Sequence, residues 1–134
     1  MFSRFSPAAR AVITLAEQEC RNSNHYYLGT EHLLLAMAIA PPPDIAEYFA
    51  TKGVEPWLVK RALRAAMTPG DEHPWEGIIV TPRVQRILAL ALSAKAPLDA
   101  VQPIDLLSAI ISDGGGVAAR VIEHLTTEPA TRQQ

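Results

Sequence analysis

The chain has 134 residues, of which 49% are apolar and 19% are charged, a balance typical of one globular domain with a sizeable core. Its formal charge of −2 argues against nucleic acid or an anionic membrane surface as a partner, and no apolar run approaches the roughly 18 residues of a spanning helix. The only cysteine, Cys20, excludes an internal disulfide and a cysteine-rich zinc site and is typical of a cytoplasmic protein.

The predicted elements are helices in two groups. Apolar residues at helical spacing, together with helix-start signals, indicate their positions. The predicted ranges are 7–22, 30–39, 44–52 and 56–67, then 82–95, 103–112 and 116–125. No segment alternates as a strand should, and residues 78–80 (IIV) are too short to count as one. The sequence therefore predicts an all-α fold.

The two helix groups are copies of one unit. Ser6-Pro7 is matched 75 residues later by Thr81-Pro82, and each pair is an N-cap followed by a proline at the first helical position. Residues 33–37 (LLLAM) are matched 73 residues later by 106–110 (LLSAI), so the copies differ by two residues in a loop. This self-similarity predicts two tandem four-helix repeats with pseudo-twofold symmetry.

The repeats define the domain organisation that we expect within a single domain, 1–134. Its parts are repeat one at 2–67, a linker at 68–79, repeat two at 80–129 and a tail at 130–134. Helix four of repeat two has only the tail available, which is too short to form a helix unaided. We therefore expect that helix to be truncated or absent.

Three segments resemble a known family. Residues 28–37 (LGTEHLLLAM) resemble the Gly-Thr-Glu-His-hydrophobic run of the Clp amino-terminal repeat, and residues 1–6 (MFSRFS) and 117–122 (VAARVI) are similar to further parts of it. The likeness to the ClpC-like and ClpA-like branches runs from residue 2 to about 129. It implies an all-helical domain that sits on an ATPase ring and receives substrates, adaptor proteins or tags such as phosphorylated arginine.

The sequence contains no nucleotide-binding loop. The pattern Gly-x-x-x-x-Gly-Lys-Ser/Thr is absent, so the chain cannot hold phosphates in the P-loop manner. We therefore expect a stand-alone, non-catalytic Clp-repeat protein without a cofactor. Its expected partners are protein or peptide substrates and adaptors, a Clp ATPase, or phosphoarginine-tagged proteins.

Glu31 is the first candidate for a binding role. In the first turn of a helix, a carboxylate complements the positive helix end, which is worth about 0.3–1 kcal/mol and needs no further role. The resemblance implies instead that Glu31 receives the guanidinium of phosphoarginine, with the phosphate at the start of the first helix near Ser6. The matching positions of repeat two hold Thr81 and Ile104. Isoleucine cannot pair with a guanidinium, so we expect at most one competent pocket.

The residues ahead of the two helix starts are also candidates. Phe5 and Val80 occupy matching positions, where an apolar residue commonly packs against the helix that follows. The resemblance implies that Phe2 is part of an apolar groove between the repeats, where family members bind adaptors and some cyclic peptides. Arg4 and Val80, which also precede the helix starts, are candidate binding residues beside it. An exposed aromatic side chain such as Phe2 could anchor such a partner.

The histidines show no metal-binding spacing, and we expect each to be either packed in the core or exposed. They are His25, His32, His73 and His124. Cys20 is interpreted as a small core residue, and a cysteine hydrolase that uses it is the weakest hypothesis.

A DNA-binding regulator is the alternative from another functional class. Short helices joined by tight turns resemble helix-turn-helix units, and Lys60, Arg61 and Arg64 lie on one predicted helix. The slightly acidic chain lacks the basic footprint that such proteins show.

Overall fold

A computed structural model describes residues 3–25, 27–67 and 78–127. This part of the chain forms seven helices and one pair of very short strands. In chain order they are α1 (Pro7–Asn22), β1 (Tyr27–Leu28), α2 (Thr30–Ile39), α3 (Pro43–Lys52), α4 (Pro56–Ala66), β2 (Ile79–Val80), α5 (Pro82–Ser93), α6 (Pro103–Asp113) and α7 (Gly116–Thr127). None of these helices is long and apolar enough to cross a membrane.

The helices begin where the sequence signals them. A proline occupies the first position of α1, α3, α4, α5 and α6, where its missing N–H costs nothing. The predicted N-caps are confirmed, because Ser6 Oγ accepts a hydrogen bond from the Ala9 N–H at 3.1 Å and Thr81 Oγ1 accepts one from the Val84 N–H at 3.2 Å. Gly114 then ends α6 with φ 74°, a conformation that glycine adopts without strain.

The core is built around the second helix of each repeat. In α2, every residue from Thr30 to Ala38 is buried except Glu31, as expected of a helix that is apolar on all sides. It packs against α1, α4, α6 and α7, while α6 packs against α5, α7, α3 and α1. The two central helices therefore join both repeats in one hydrophobic core.

The all-α tandem-repeat prediction is confirmed, and the predicted helix ends lie within two residues of those observed. One expectation was wrong, because residues 79–80 do form a strand, which pairs in parallel with β1. Two residues cannot show a period, and the pairing depends on the tertiary arrangement. The predictions for residue 2, for most of the linker and for the segment from 128 onward lie outside the described residues.

The N-cap residues of α1 and α5 each form a hydrogen bond with the other repeat. The Ser6 N–H donates to the Val101 carbonyl at 2.9 Å, ahead of α6, and the Thr81 N–H donates to the Leu28 carbonyl at 3.2 Å, ahead of α2. These bonds are equivalent under the repeat, because Ser6 matches Thr81 and Leu28 matches Val101. The segment ahead of the second helix in each repeat is thus bound by the N-cap residue of the first helix in the other repeat.

Candidate functional site

The starts of three helices converge on one side of the protein. The bond from Thr81 to Leu28 places the start of α5 beside the start of α2. Gly116 begins α7 so close to α2 that an added Cβ would lie 3.0 Å from Thr30 Oγ1. Helix starts carry unpaired N–H groups and a positive potential. We call this place the three-helix junction and define it by Thr30, Glu31, Thr81, Arg83 and Gly116.

Glu31 supplies the acidic group of the junction. It is partly exposed and lies in the first turn of α2. Its side chain folds back over Gly29, where any Cβ would overlap the carboxylate. In the described part of the chain this carboxylate takes part in no hydrogen bond or ion pair. It is therefore available to a cationic group of a ligand.

Arg83 supplies the basic group, and it was not among the site residues predicted from the sequence. Its Nη1 pairs with Asp113 Oδ2 at 2.5 Å. A Cβ added at Gly115 would collide with the guanidinium, and one added at Gly116 would lie 2.9 Å from Arg83 Cδ. The hydrogen bond from Arg83 is the main cause of the lowered pKa of the Asp113 carboxyl. The ion pair thus holds a guanidinium next to the α7 start.

A difference between the repeats indicates the contact that Arg83 makes. The matching residue of repeat one is Ala8, and the matching turn is Pro42-Pro43, not Gly115-Gly116. A long side chain in α5 therefore occurs together with a turn that leaves room for it. This covariation within one chain indicates a contact that no single motif shows.

The equivalent corner, formed by the starts of α1, α6 and α3, has different chemistry. Ile104 stands where Glu31 would be, and its N–H donates to Asp44 Oδ2 at 3.0 Å. The other carboxylate oxygen, Asp44 Oδ1, is buried and has no hydrogen-bond partner in the described part of the chain. The start of α6 therefore already binds the Asp44 carboxylate, which leaves less positive potential there for an anionic ligand.

Two predicted site residues, Ser6 and Arg4, belong to this second corner. Ser6 is only 7% exposed, and its hydroxyl already serves as the α1 cap. Arg4 Nη2 donates to the Ala96 carbonyl at 2.8 Å, and its Nε is buried without a hydrogen-bond partner among the residues that the structure describes. The Ser6 N–H and the Arg4 guanidinium bind carbonyls of repeat two, and no described hydrogen bond connects Ser6 with Glu31.

Val80 lies beside an apolar recess between the repeats. It forms β2 and is partly buried, and the recess of about 80 Å³ is also lined by Ile13 and Leu88, with Glu17 among its residues. Phe2, the predicted aromatic anchor of a groove between the repeats, lies outside the described residues.

A buried histidine pair supports the start of α2. His25 Nδ1 and His32 Nε2 are 2.8 Å apart, and His32 Nδ1 accepts from the Gly29 N–H at 2.9 Å. In neutral His32 the proton is therefore on Nε2, which donates to His25. Burial and the neighbouring His25 lower the pKa of His32 to about 4. The contact between these histidines is not predictable from their spacing, because the bend between α1 and α2 brings them together.

Cys20 is a core residue, as predicted. It is fully buried, and its Sγ donates to the Tyr27 carbonyl at 3.2 Å. Burial, and then the charge of Glu31, raise the pKa of this thiol to about 12. Since the thiolate is the reactive species, this environment suppresses nucleophilic chemistry.

No cluster of three or more histidine, cysteine or acidic residues within 3–25, 27–67 and 78–127 could hold a metal ion. The ionisable groups at the junction are Glu31 and the paired Arg83 and Asp113. They are arranged to bind charged groups by hydrogen bonds and ion pairs.

Comparison with known proteins points to one family. The sequence model of the Clp repeat (R) N-terminal domain matches residues 4–100. The chloroplastic ClpA homolog of Brassica napus, described as an ATP-binding subunit of the ATP-dependent Clp protease, is 31% identical over 132 residues. The alignment covers 97% of this chain but only 15% of that relative.

Solved structures share the fold. The N-domain of ClpV from Vibrio cholerae aligns with 98% of this chain and 82% of its own length, with a TM-score of 0.78 and 14% identity. A complex of the ClpV N-domain with a VipB peptide aligns with 96% of this chain and 86% of its own length, with a TM-score of 0.73 and 17% identity. At this level of identity the likeness concerns the fold.

Proposed function

This chain belongs to the family of Clp repeat N-terminal domains, and from that membership we propose that it is a non-catalytic module that binds proteins or peptides. The observation that carries the proposal is the three-helix junction, where a guanidinium, helix starts and a carboxylate that no other described residue pairs with share one surface. A ClpV N-domain with the same fold forms a complex with a VipB peptide, which is a precedent for peptide binding.

The ligand chemistry that we propose for the junction is phosphoarginine on a tagged protein. A phosphoarginine side chain has an anionic phosphate at its tip and a guanidinium behind it. We assign the guanidinium to Glu31, since a carboxylate pairs well with that planar group. We assign the phosphate to the start of α5, because Thr81 is bonded to the segment ahead of Glu31.

The start of α5 has a donor to offer. Pro82 has no N–H, and the Val84 N–H is bound by Thr81 Oγ1, so Arg83 carries the first-turn N–H that remains for an anion. The Arg83 guanidinium adds positive charge near the same position. We therefore place the phosphate subsite at the start of α5 and not at Ser6, because Ser6 is bonded to the segment ahead of α6 and Thr81 to the segment ahead of Glu31.

Calorimetric titration with free phosphoarginine tests this assignment. We expect one site per chain, and we expect Glu31→Ala to weaken binding by about tenfold or more. Glu47→Ala is the matched control, because Glu47 is an exposed carboxylate on α3 outside the junction. Two equivalent sites, or equal affinities for the Glu31→Ala variant and the unchanged protein, would refute it.

The physiological partner requires a separate experiment. We propose a cytoplasmic role in which the domain delivers tagged proteins or adaptors to a Clp ATPase, or competes with one for them. Purified domain should recover such proteins from extract of its own cells, and free phosphoarginine should compete with the tagged ones. Recovery that is insensitive to phosphoarginine, together with a failed titration, would leave peptide binding in place and remove the tag.

A further inference from the structure

Helix α4 presents a basic and aromatic face to solvent. Trp57, Lys60, Arg61 and Arg64 are spaced by three and four residues, so they lie on one side of the helix. The opposite side buries Val59 and Leu63 against the core. Trp57 is 53% exposed, unusual for the largest apolar side chain. We call these four residues the α4 face.

The cations of this face are largely unneutralised. Arg64 Nη2 lies 3.5 Å from Glu19 Oε1, whereas Lys60 and Arg61 form no ion pair within the described residues. The Arg61 guanidinium lies 5.3 Å from the centre of the Trp57 ring, a cation–π contact that holds both side chains in place. No acidic residue occurs in α4 itself, and Glu55 precedes it at the N-cap.

We propose that the α4 face binds an acidic segment of a partner protein, with an apolar side chain of that segment packed on Trp57. Charge complementarity selects the occupant, because this helix carries three cations in a chain whose net charge is −2. Tryptophan and arginine are also the residues that most often dominate binding energy at protein interfaces. The face is a second surface, distinct from the three-helix junction.

The same observations disfavour nucleic acid as the occupant. Tight association with duplex DNA relies on many phosphate contacts, about six to ten in a typical protein. Within the described ranges, the α4 face offers two cations without an ion pair and one that already has a partner. An acidic protein segment needs fewer charges, since the exposed indole supplies apolar contact area.

The test is an NMR titration with a defined probe. The probe is a short synthetic peptide of glutamates with a central phenylalanine, and its two controls replace the glutamates by glutamine or the phenylalanine by alanine. We expect the probe to shift the indole N–H resonance of Trp57, which is assigned in a Trp75→Phe background. Both control peptides should bind more weakly.

Matched variants locate the binding. The double variant Lys60→Glu, Arg61→Glu should bind the probe about tenfold more weakly. The double variant Arg86→Glu, Arg10→Glu makes the same change of charge on exposed residues of other helices, and its affinity for the probe should change by less than about twofold. Trp57→Ala should weaken it as well, with an unchanged circular dichroism spectrum. Equal losses in both double variants, or an unshifted Trp57 signal, would overturn the proposal. Tighter binding of a duplex DNA fragment, abolished by the α4 variants alone, would overturn it in favour of a nucleic-acid surface.

Discussion

Replacing His32 by asparagine should remove most of the pH dependence of stability between neutral and mildly acidic pH. The ordinary histidine pKa is 6.5, and in the folded protein that of His32 is lowered to about 4. Between these values the unfolded chain binds a proton that the folded chain does not. The free energy of unfolding therefore falls as the pH drops through this window, by about 3 kcal/mol in total.

The geometry explains why the folded protein resists that proton. A proton on His32 Nδ1 would point at the Gly29 N–H. This protonation breaks a buried hydrogen bond by setting two donors against each other. Asparagine at position 32 can still accept from Gly29 but does not titrate.

Urea unfolding followed by far-ultraviolet circular dichroism measures the effect at a series of pH values. The native protein should lose stability steadily below about pH 6.5, whereas the His32→Asn variant should be less stable at neutral pH but nearly level across the same window. His124→Asn is the control, since His124 is exposed on α7. If His32→Asn and the native protein show parallel slopes, the reasoning is refuted.

Three further predictions concern the fold and the thiol. Leu34→Ala should lower the free energy of unfolding by about 2–5 kcal/mol, because Leu34 is fully buried in α2; a loss below about 1 kcal/mol in urea unfolding would contradict the central role of that helix. Gly116→Ala should lower the free energy of unfolding by about 1–3 kcal/mol more than Gly115→Ala does. Both substitutions displace Arg83, but only Gly116 has a positive φ, of 86°. Equal losses of stability would contradict this. Cys20 should react with a disulfide reagent about a thousandfold more slowly in folded than in urea-unfolded protein, since its pKa is raised from 9.0 to about 12; equal rates would show that the thiol is accessible.

Much of the fold could be predicted from the sequence because its signals are local. Ser6-Pro7 and Thr81-Pro82 specify where helices begin through backbone chemistry that needs no tertiary context. The apolar spacing within each helix reports which side is buried. These signals occur twice in the same order, so the repeat could be recognised before any contact was known.

The candidate site could be predicted only in part, because its members meet through tertiary structure. Glu31 was identifiable by resemblance, and Thr81 by its match with Ser6. Their proximity depends on the hydrogen bond that joins Thr81 of repeat two to Leu28 of repeat one. The spacing of residues does not encode this bond. Arg83 was missed for the same reason, since its surroundings come from the turn ahead of α7. The contact between His25 and His32 likewise depends on how the chain bends after α1.

The hydrogen bonds between the repeats restrict the forms in which this architecture is self-sufficient. A single repeat on its own would expose the backbone groups ahead of its first and second helices, which need partners from another repeat. The smallest self-sufficient form is therefore a pair, either two identical chains with two identical corners or one fused chain. Fusion frees the two corners to diverge, and here one retains a glutamate while the other has an isoleucine whose N–H is bound by Asp44. Covalent joining of two repeats thus lets the two corners within one chain carry different chemistry.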